Sequence, residues 1–447
     1  MNFDNLKKAL VDAAASAGVT EYEIYYASSS ETSVGGLNKE INSFSSGTGG
    51  GICLRLIHEG KMGYASTELM EEGEMRELVV RALENAENTD KPCEVGFFAG
   101  SESYEAPRMK RYEPKSAAEL KCATLDIMNE IYAASDKVTD GTEANAVSAS
   151  FSVALVNSHG LDLRNECGIN VVVAQAVVSD KGETQADYSV KAFDEALDIK
   201  ALARDSVDGA LSKIDSGSVE TGKYDIIIDG KQMRSILSAF YPAFSAKNVQ
   251  MGMSLLRGKV GEKIASDIVT IVDDPQREGS SVGTSFDAEG VATHKKCVVE
   301  AGVLKTLLHN RETAKIAGCE STANASKGKY SAPVGISPYA FSIEAGELSE
   351  EALFEKLGEG ILITELKGLH AGANAVTGDF SIESAGFMIR GGKKCEAVKS
   401  FTIAGNFFEL LKNISALSNE VKFSVSGGIT SFGSPSVLIP GMSVAGK

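Results

Sequence analysis

Gly279-Ser280-Ser281-Val282-Gly283 spells GxSxG. That spacing presents a nucleophilic serine when it occupies a sharp turn between a strand and a helix. Here DDPQRE precedes it and TSFDAEG follows, both polar and without period, so the motif reads as a turn. His58-Glu59 opens like HExxH, in which two histidines one helical turn apart grip zinc and the glutamate serves as base. Positions 61–64 are Lys, Met, Gly and Tyr, so no second histidine follows, and the pair borders a hairpin turn. SGTGGGICLRL has the glycines of a phosphate loop but no Lys-Ser/Thr. It runs into a strand, so it offers an anion no helix N-terminus. Asp273-Asp274 and Asp287 with Glu289 are candidate acidic pairs, read as solvated loops. His159, His294, His309 and His370 are isolated, whereas zinc needs clustered donors. Cysteines 53, 93, 122, 167, 297, 319 and 395 are odd in number, scattered and free of CxxC. That usage fits reduced thiols in a cytoplasm.

The elements that must hold these groups are those of a globular protein. The chain has 447 residues, 43% hydrophobic and 23% charged, enough for two or three domains. Its net charge of −17 opposes phosphate backbones, which argues against direct nucleic-acid binding. The basic cluster Arg108, Lys110, Arg111 is too short to reverse that. No stretch approaches the ~20 apolar residues of a membrane helix.

Phe3, Leu6, Leu10 and Ala13 share a helical face, and Gly18 suits the C-cap. Tyr22, Ile24 and Tyr26 alternate as in a strand. Ile52 to Ser66 reads as a hairpin turning at Glu59-Gly60-Lys61. Thr67 is placed to cap a helix over 68–85. GSESYEAPRMKRYEP is polar and aperiodic, a linker. Ser116 and Glu119 then form a capping box for a helix through Ala134. Segments 144–156, 161–178 and 183–193 predict a meander, closed by a helix over 199–214. After the short strand YDIIID comes a helix whose stripe is Met233, Ile236, Leu237, Phe240 and Phe244. Pro242 should kink or stop it. Beyond Leu255 the pattern is mostly strands, with helices expected at 310–316, 349–357 and 403–417. Thr377 to Lys393 reads as two strands around a turn. The fold class is α+β: a mixed N-terminal domain (1–105), a helix and meander (106–220), and a mostly antiparallel β C-terminal domain with a few helices (221–447).

GKVGEKIASDIVTIVDD (258–274), SFDAEGVAT (285–293), STANASKGKY (321–330), GILITELKGLHAGANAVTGDFSIESAGFMIRGGK (360–393), FTIAGN (401–406) and PSVLIPGMSVAGK (435–447), in this order, resemble the TldD/PmbA family, within it the PmbA or TldE branch. The resemblance extends over nearly the whole chain. It implies a cytoplasmic metallopeptidase family, historically linked to modulation of DNA gyrase and active in proteolysis and peptide maturation. In that family a TldD subunit carries zinc on an HExxxH helix, with a cysteine ligand near the C-terminus. It acts as a dimer with a PmbA/TldE subunit that lacks the motif. Carried over, the HExxxH positions fall on Leu237, Ser238 and Pro242, none a zinc ligand or base. The expectation is a non-catalytic subunit with no zinc or other cofactor of its own, paired with a zinc-bearing TldD-type partner around a peptide substrate. A homodimer is an open alternative when the partner is absent. The alternatives are a metallopeptidase active alone and a non-enzymatic gyrase regulator. Thr377, Gly378, Asp379 and Phe380, with His370 just before them, are the candidates for a peptide cleft. A strand can hold an extended peptide there by backbone pairing.

Overall fold

Two long strands, β1 (Glu21–Leu37) and β2 (Glu40–His58), frame the N-terminal half of this computed structural model, which describes residues 3–106, 113–277, 283–425 and 430–447. With β3 (Lys61–Thr67), β4 (Glu143–Asn157), β5 (Asp162–Asp180) and β6 (Glu183–Ala192) they make one antiparallel sheet, ordered β3-β2-β1-β4-β5-β6. Because β1 pairs with β4 along its whole length, the sheet continues across the polar stretch expected to link two domains. Alternation along β1 sends Ile24 and Val34 to one face. Four helices cover that face: α1 (Phe3–Ser16), α2 (Glu72–Glu87), α3 (Ala117–Ala134) and α4 (Ile199–Leu211). At Gly63 the approach is so close that a Cβ would lie 1.8 Å from the Ala82 carbonyl oxygen of α2. Tyr25, Cys53 and Leu155, on the other face, meet segments of the C-terminal half.

The C-terminal half opens with β7 (Gly222–Ile228), α5 (Gly230–Phe240), a 3-10 turn (Tyr241–Phe244) and α6 (Ala246–Gln250). Short strands follow: β8 (Ile271–Asp273), β9 (Lys296–Glu300) and β10 (Val303–Leu304). Then come α7 (Arg311–Ala317), β11 (Ala325–Ser326), β12 (Gly335–Ile336), β13 (Ala340–Ile343), α8 (Glu350–Leu357), β14 (Gly360–Lys367) and α9 (Leu369–Gly372). The chain finishes with β15 (Asp379–Arg390), β16 (Lys393–Asn406), α10 (Phe407–Asn413), β17 (Ala416–Leu417), β18 (Lys422–Phe423), β19 (Ser431–Ser434) and β20 (Val437–Ala445). One sheet runs β16-β15-β14-β7-β20-β17, and β20 also pairs with β16, which closes its first five strands into a barrel. A second runs β10-β9-β8-β13-β19-β18. The β14–β7 and β13–β19 pairs are parallel and the rest antiparallel. The largest core joins the two sheets through α5.

The α+β reading holds, and three element boundaries move. The helix expected at 68–85 begins at Glu72, because Thr67 Oγ1 accepts the Leu69 N–H and closes a turn there. Leu69, inside the expected helix, is exposed. The helix expected at 403–417 shrinks to α10: Phe401 and Ile403 point into the core from β16, and Asn406 Oδ1 caps the helix by accepting the Phe408 N–H. Thr377–Lys393 holds a single strand, β15. Its turn is Gly391-Gly392, both at positive φ, and the return strand is β16.

Candidate functional site

On α5 the sequence places Leu237 in the apolar stripe, and the structure buries it completely. Below it Phe240 stacks on Phe407, ring centroids 4.6 Å apart and planes 6° from parallel, and meets Phe380 edge-on at 6.3 Å. The helix ends at Phe240, and Pro242 sits in the 3-10 turn that follows. Ser238 and Pro242 are half-buried. None of the three side chains at the carried-over metal positions fits zinc: a leucine and a proline supply no donor, and a serine no basic carboxylate.

Of the expected cleft residues, Phe380 is buried against α5, and α9 also touches that helix. Thr377, Gly378 and Asp379 form the corner between α9 and β15. Asn406 binds it: its Nδ2 donates to the Thr377 carbonyl at 2.9 Å and to Asp379 Oδ1 at 3.0 Å. Those hydrogen bonds from Asn406, and then from Thr377, hold the Asp379 carboxyl below its usual range. Gly378 has φ +81°, and a Cβ there would meet Asn406 Nδ2 at 2.8 Å. His370 is exposed on α9. The corner is therefore a tied turn beside α5, with exposed polar groups at Thr377 and Asp379.

Of the acidic pairs read as solvated loops, Asp273, Asp287 and Glu289 are buried and Asp274 is half-buried. Asp273 receives Lys296 Nζ at 3.1 Å, Asn324 Nδ2 at 2.7 Å and the Tyr339 N–H at 2.7 Å. Asp287 accepts the N–H groups of Glu289, Val291 and Ala325. Burial first, then the Glu289 charge, push its carboxyl up to about 7. Glu289 is raised by burial as well and accepts the Arg311 N–H at 2.8 Å. Opposite them on the N-terminal sheet, Glu23 and Arg55 form a buried ion pair. Lys327 lies 3.3 Å from Tyr64 Oη and 3.6 Å from Cys53 Sγ. Loop-like sequence around 285–293 hid this: burial there comes from an interface between distant segments.

A cleft of about 1050 Å³ opens on the N-terminal sheet. Its lining combines Ser28–Ser30, Thr48–Gly50, Ser150 and Ser152 with Tyr26, Met70 and Phe151, and includes Glu68 and Glu166. Asn165 and Cys167 also line a smaller pocket of about 60 Å³ that reaches Tyr25, Asp287 and Lys327. The GxSxG serine, Ser281, and the cluster Arg108, Lys110, Arg111 lie outside the described residues. The isolated histidines gain one neighbour: Nε2 of His309 is 3.9 Å from Cys319 Sγ. Among the described residues no three His, Cys, Asp or Glu side chains gather as a metal site would require.

The profile of the PmbA/TldA metallopeptidase C-terminal domain matches residues 221–446, slightly more than half the chain. Those of domain 1 and of the central domain match 22–86 and 113–214. The chain belongs to the PmbA/TldD family. An uncharacterised protein of Methanocaldococcus jannaschii is 30% identical over 407 residues, covering 89% of this chain and 92% of that one. The metalloprotease PmbA of Escherichia coli O157:H7 is 25% identical over 417 residues, 91% of this chain and 88% of that one. Among solved structures, a Thermotoga maritima protein described as a candidate modulator of a DNA gyrase superposes with a TM-score of 0.89 at 29% identity. It covers 99% of this chain and 100% of its own. TldE from Thermococcus kodakarensis gives 0.83 at 25% identity over the same shares. No helix among the described residues of this PmbA/TldD-family chain is long and apolar enough to cross a membrane.

Proposed function

We infer that this chain is a non-catalytic subunit of PmbA/TldE type, which completes a peptide chamber around the zinc site of a TldD-type partner. One observation carries the reading: the α5 positions where the resemblance puts the zinc ligands hold a fully buried leucine, a serine and a proline. The cleft on the N-terminal sheet supplies hydroxyl groups and, at Thr48–Gly50 where β3 does not cover β2, a strand edge suited to an unfolded, extended chain of little sequence preference. The Thr377–Asp379 corner beside α5 is the second candidate wall.

The test is reconstitution. The purified chain should hydrolyse no peptide and carry no stoichiometric zinc. Adding a TldD-type protein from the same source should produce peptidase activity that a chelator abolishes. Stoichiometric zinc with peptide hydrolysis by the chain alone would overturn the reading. Leu237→His combined with Pro242→His should leave the chain inactive, since the glutamate base and the remaining ligand shell are missing too.

A further inference from the structure

Lys327 follows β11 in the C-terminal half, yet its side chain crosses to the N-terminal sheet and is 8% exposed. Rings of Tyr25 and Tyr64 flank its nitrogen, centroids at 4.9 and 5.0 Å. Tyr64 Oη donates to the Ala332 carbonyl at 2.9 Å, so toward Lys327 it offers a lone pair. No carboxylate among the described residues pairs with this nitrogen. The remaining close neighbour is Cys53 Sγ at 3.6 Å, itself fully buried. No sulfur is bonded to Cys53, which is a free thiol. Burial lowers the lysine and raises the thiol, favouring a neutral amine beside a neutral thiol. The small pocket lined by Tyr25 and Lys327 shares Asn165 and Cys167 with the wide cleft, which brings a peroxide-sized molecule to Lys327, whose nitrogen is 3.6 Å from Cys53 Sγ.

We propose that Cys53 and Lys327 form an oxidative cross-linking site that joins the N-terminal sheet covalently to the C-terminal half. The oxidant is hydrogen peroxide. The neutral Lys327 amine takes the Cys53 proton, the thiolate attacks one peroxide oxygen, the O–O bond breaks, and the leaving hydroxide takes that proton back from nitrogen, giving a sulfenic acid and water. The Lys327 nitrogen lone pair then attacks that sulfur. An S–N bond forms, the S–O bond breaks, and the hydroxyl leaves as water with a proton from nitrogen. In sum, thiol, amine and peroxide give a sulfenamide and two waters. Sulfur is oxidised and peroxide oxygen reduced. The pairing favours this over a disulfide because the partner already at 3.6 Å from Cys53 is an amine. The inference is independent of whether the chain hydrolyses peptides.

The experiment treats the full-length protein with graded hydrogen peroxide, digests it with trypsin without reductant, and reads the peptides by mass spectrometry. The expected product joins the Cys53 and Lys327 peptides, lighter than their sum by the mass of two hydrogen atoms. Cleavage after Lys327 should fail, and dithiothreitol should restore it. Cys53→Ser and Lys327→Arg should each abolish the joined peptide, with circular dichroism confirming the fold. The missed cleavage in the wild-type chain decides the question if a variant fails to fold. Cys53 recovered as free thiol or as sulfinic acid, with normal cleavage at Lys327, would overturn the proposal.

Discussion

Around α5 the interior is hydrocarbon and aromatic ring; near the contact of the N-terminal sheet with the C-terminal half, charged groups are buried among apolar ones. Leu237, Phe240, Phe244 and Phe407 need only shape to be stable, since each buried apolar group gains about 25 cal/mol per Å² removed from water. Glu23, Arg55, Asp273, Lys296 and Asp287 must each find partners, because a buried charge without one is costly. A filled apolar core tolerates many sequences, whereas buried charges such as Glu23–Arg55 within the N-terminal sheet and Asp273–Lys296 within the C-terminal half each require their partner. The difference therefore separates packing that needs only shape from packing that needs paired charge.

The sharpest way to break this contrast is to remove one partner of the ionic side. Arg55→Met leaves Glu23, 2% exposed, without its cation, and should cost about 3–5 kcal/mol. Replacing both, as Arg55→Met with Glu23→Leu, should recover most of that loss, since no orphaned charge remains. Urea unfolding midpoints of the two variants read the difference. A cost for Arg55→Met below about 1 kcal/mol would place this pair with exposed ion pairs. On the apolar side, Phe240→Ala empties a site walled by Phe380 and Phe407 and should cost about 3–5 kcal/mol. Here no second substitution restores the loss by removing a charge. Recovery of the Phe240→Ala loss by a polar neighbour would erase the distinction.

The apolar region was legible in the sequence and the ionic one was not. Met233, Ile236, Leu237, Phe240 and Phe244 advertise their burial through helical spacing, and Pro242 marks the stop. Ser116 with Glu119 announces α3 by a purely local rule. Nothing local distinguishes Asp287 in SFDAEGVAT from a solvated aspartate, because its burial depends on Ala325 and on the sheet behind it. The Cys53–Lys327 contact joins positions 274 apart in sequence, beyond any periodicity. Barrel closure between β16 and β20 is equally non-local. Asn406 was visible in FTIAGN, and its type suits a cap, yet only the fold shows it also tying the Thr377–Asp379 corner.

Asp287 separates the regions by pH. Its carboxyl moves from 3.8 to about 7 in the folded chain, so the folded state keeps a proton that the unfolded state releases. That contribution to stability is complete below the unfolded value. It declines as pH rises through the folded value and is constant above. The neighbouring Glu289 shifts in the same direction. Relative to Asp287→Asn, which cannot ionise, the wild-type melting temperature should fall between about pH 4 and 7 and then run parallel. Phe240→Ala should track the wild type at a constant offset across that range. Parallel curves for Asp287→Asn throughout would mean that its carboxyl titrates as an exposed one does.

The smallest effect is expected where neither kind of interior is involved. At the start of α3 the Glu119 N–H donates to Ser116 Oγ at 3.3 Å, and the Ser116 N–H donates to Glu119 Oε2 at 2.8 Å. Both residues are exposed, so water can take over whatever bonds a substitution removes. Ser116→Ala should lower stability by about 1 kcal/mol, read as a modest shift in the urea midpoint. Glu119→Ala made on top of it should add less than it costs alone, since the two bonds belong to one box. The comparison with Arg55→Met then isolates burial as the variable: each change removes one partner of a hydrogen-bonded pair, and only one leaves a charge sealed from water. Equal costs for the two would show that burial adds nothing to the Glu23–Arg55 pair.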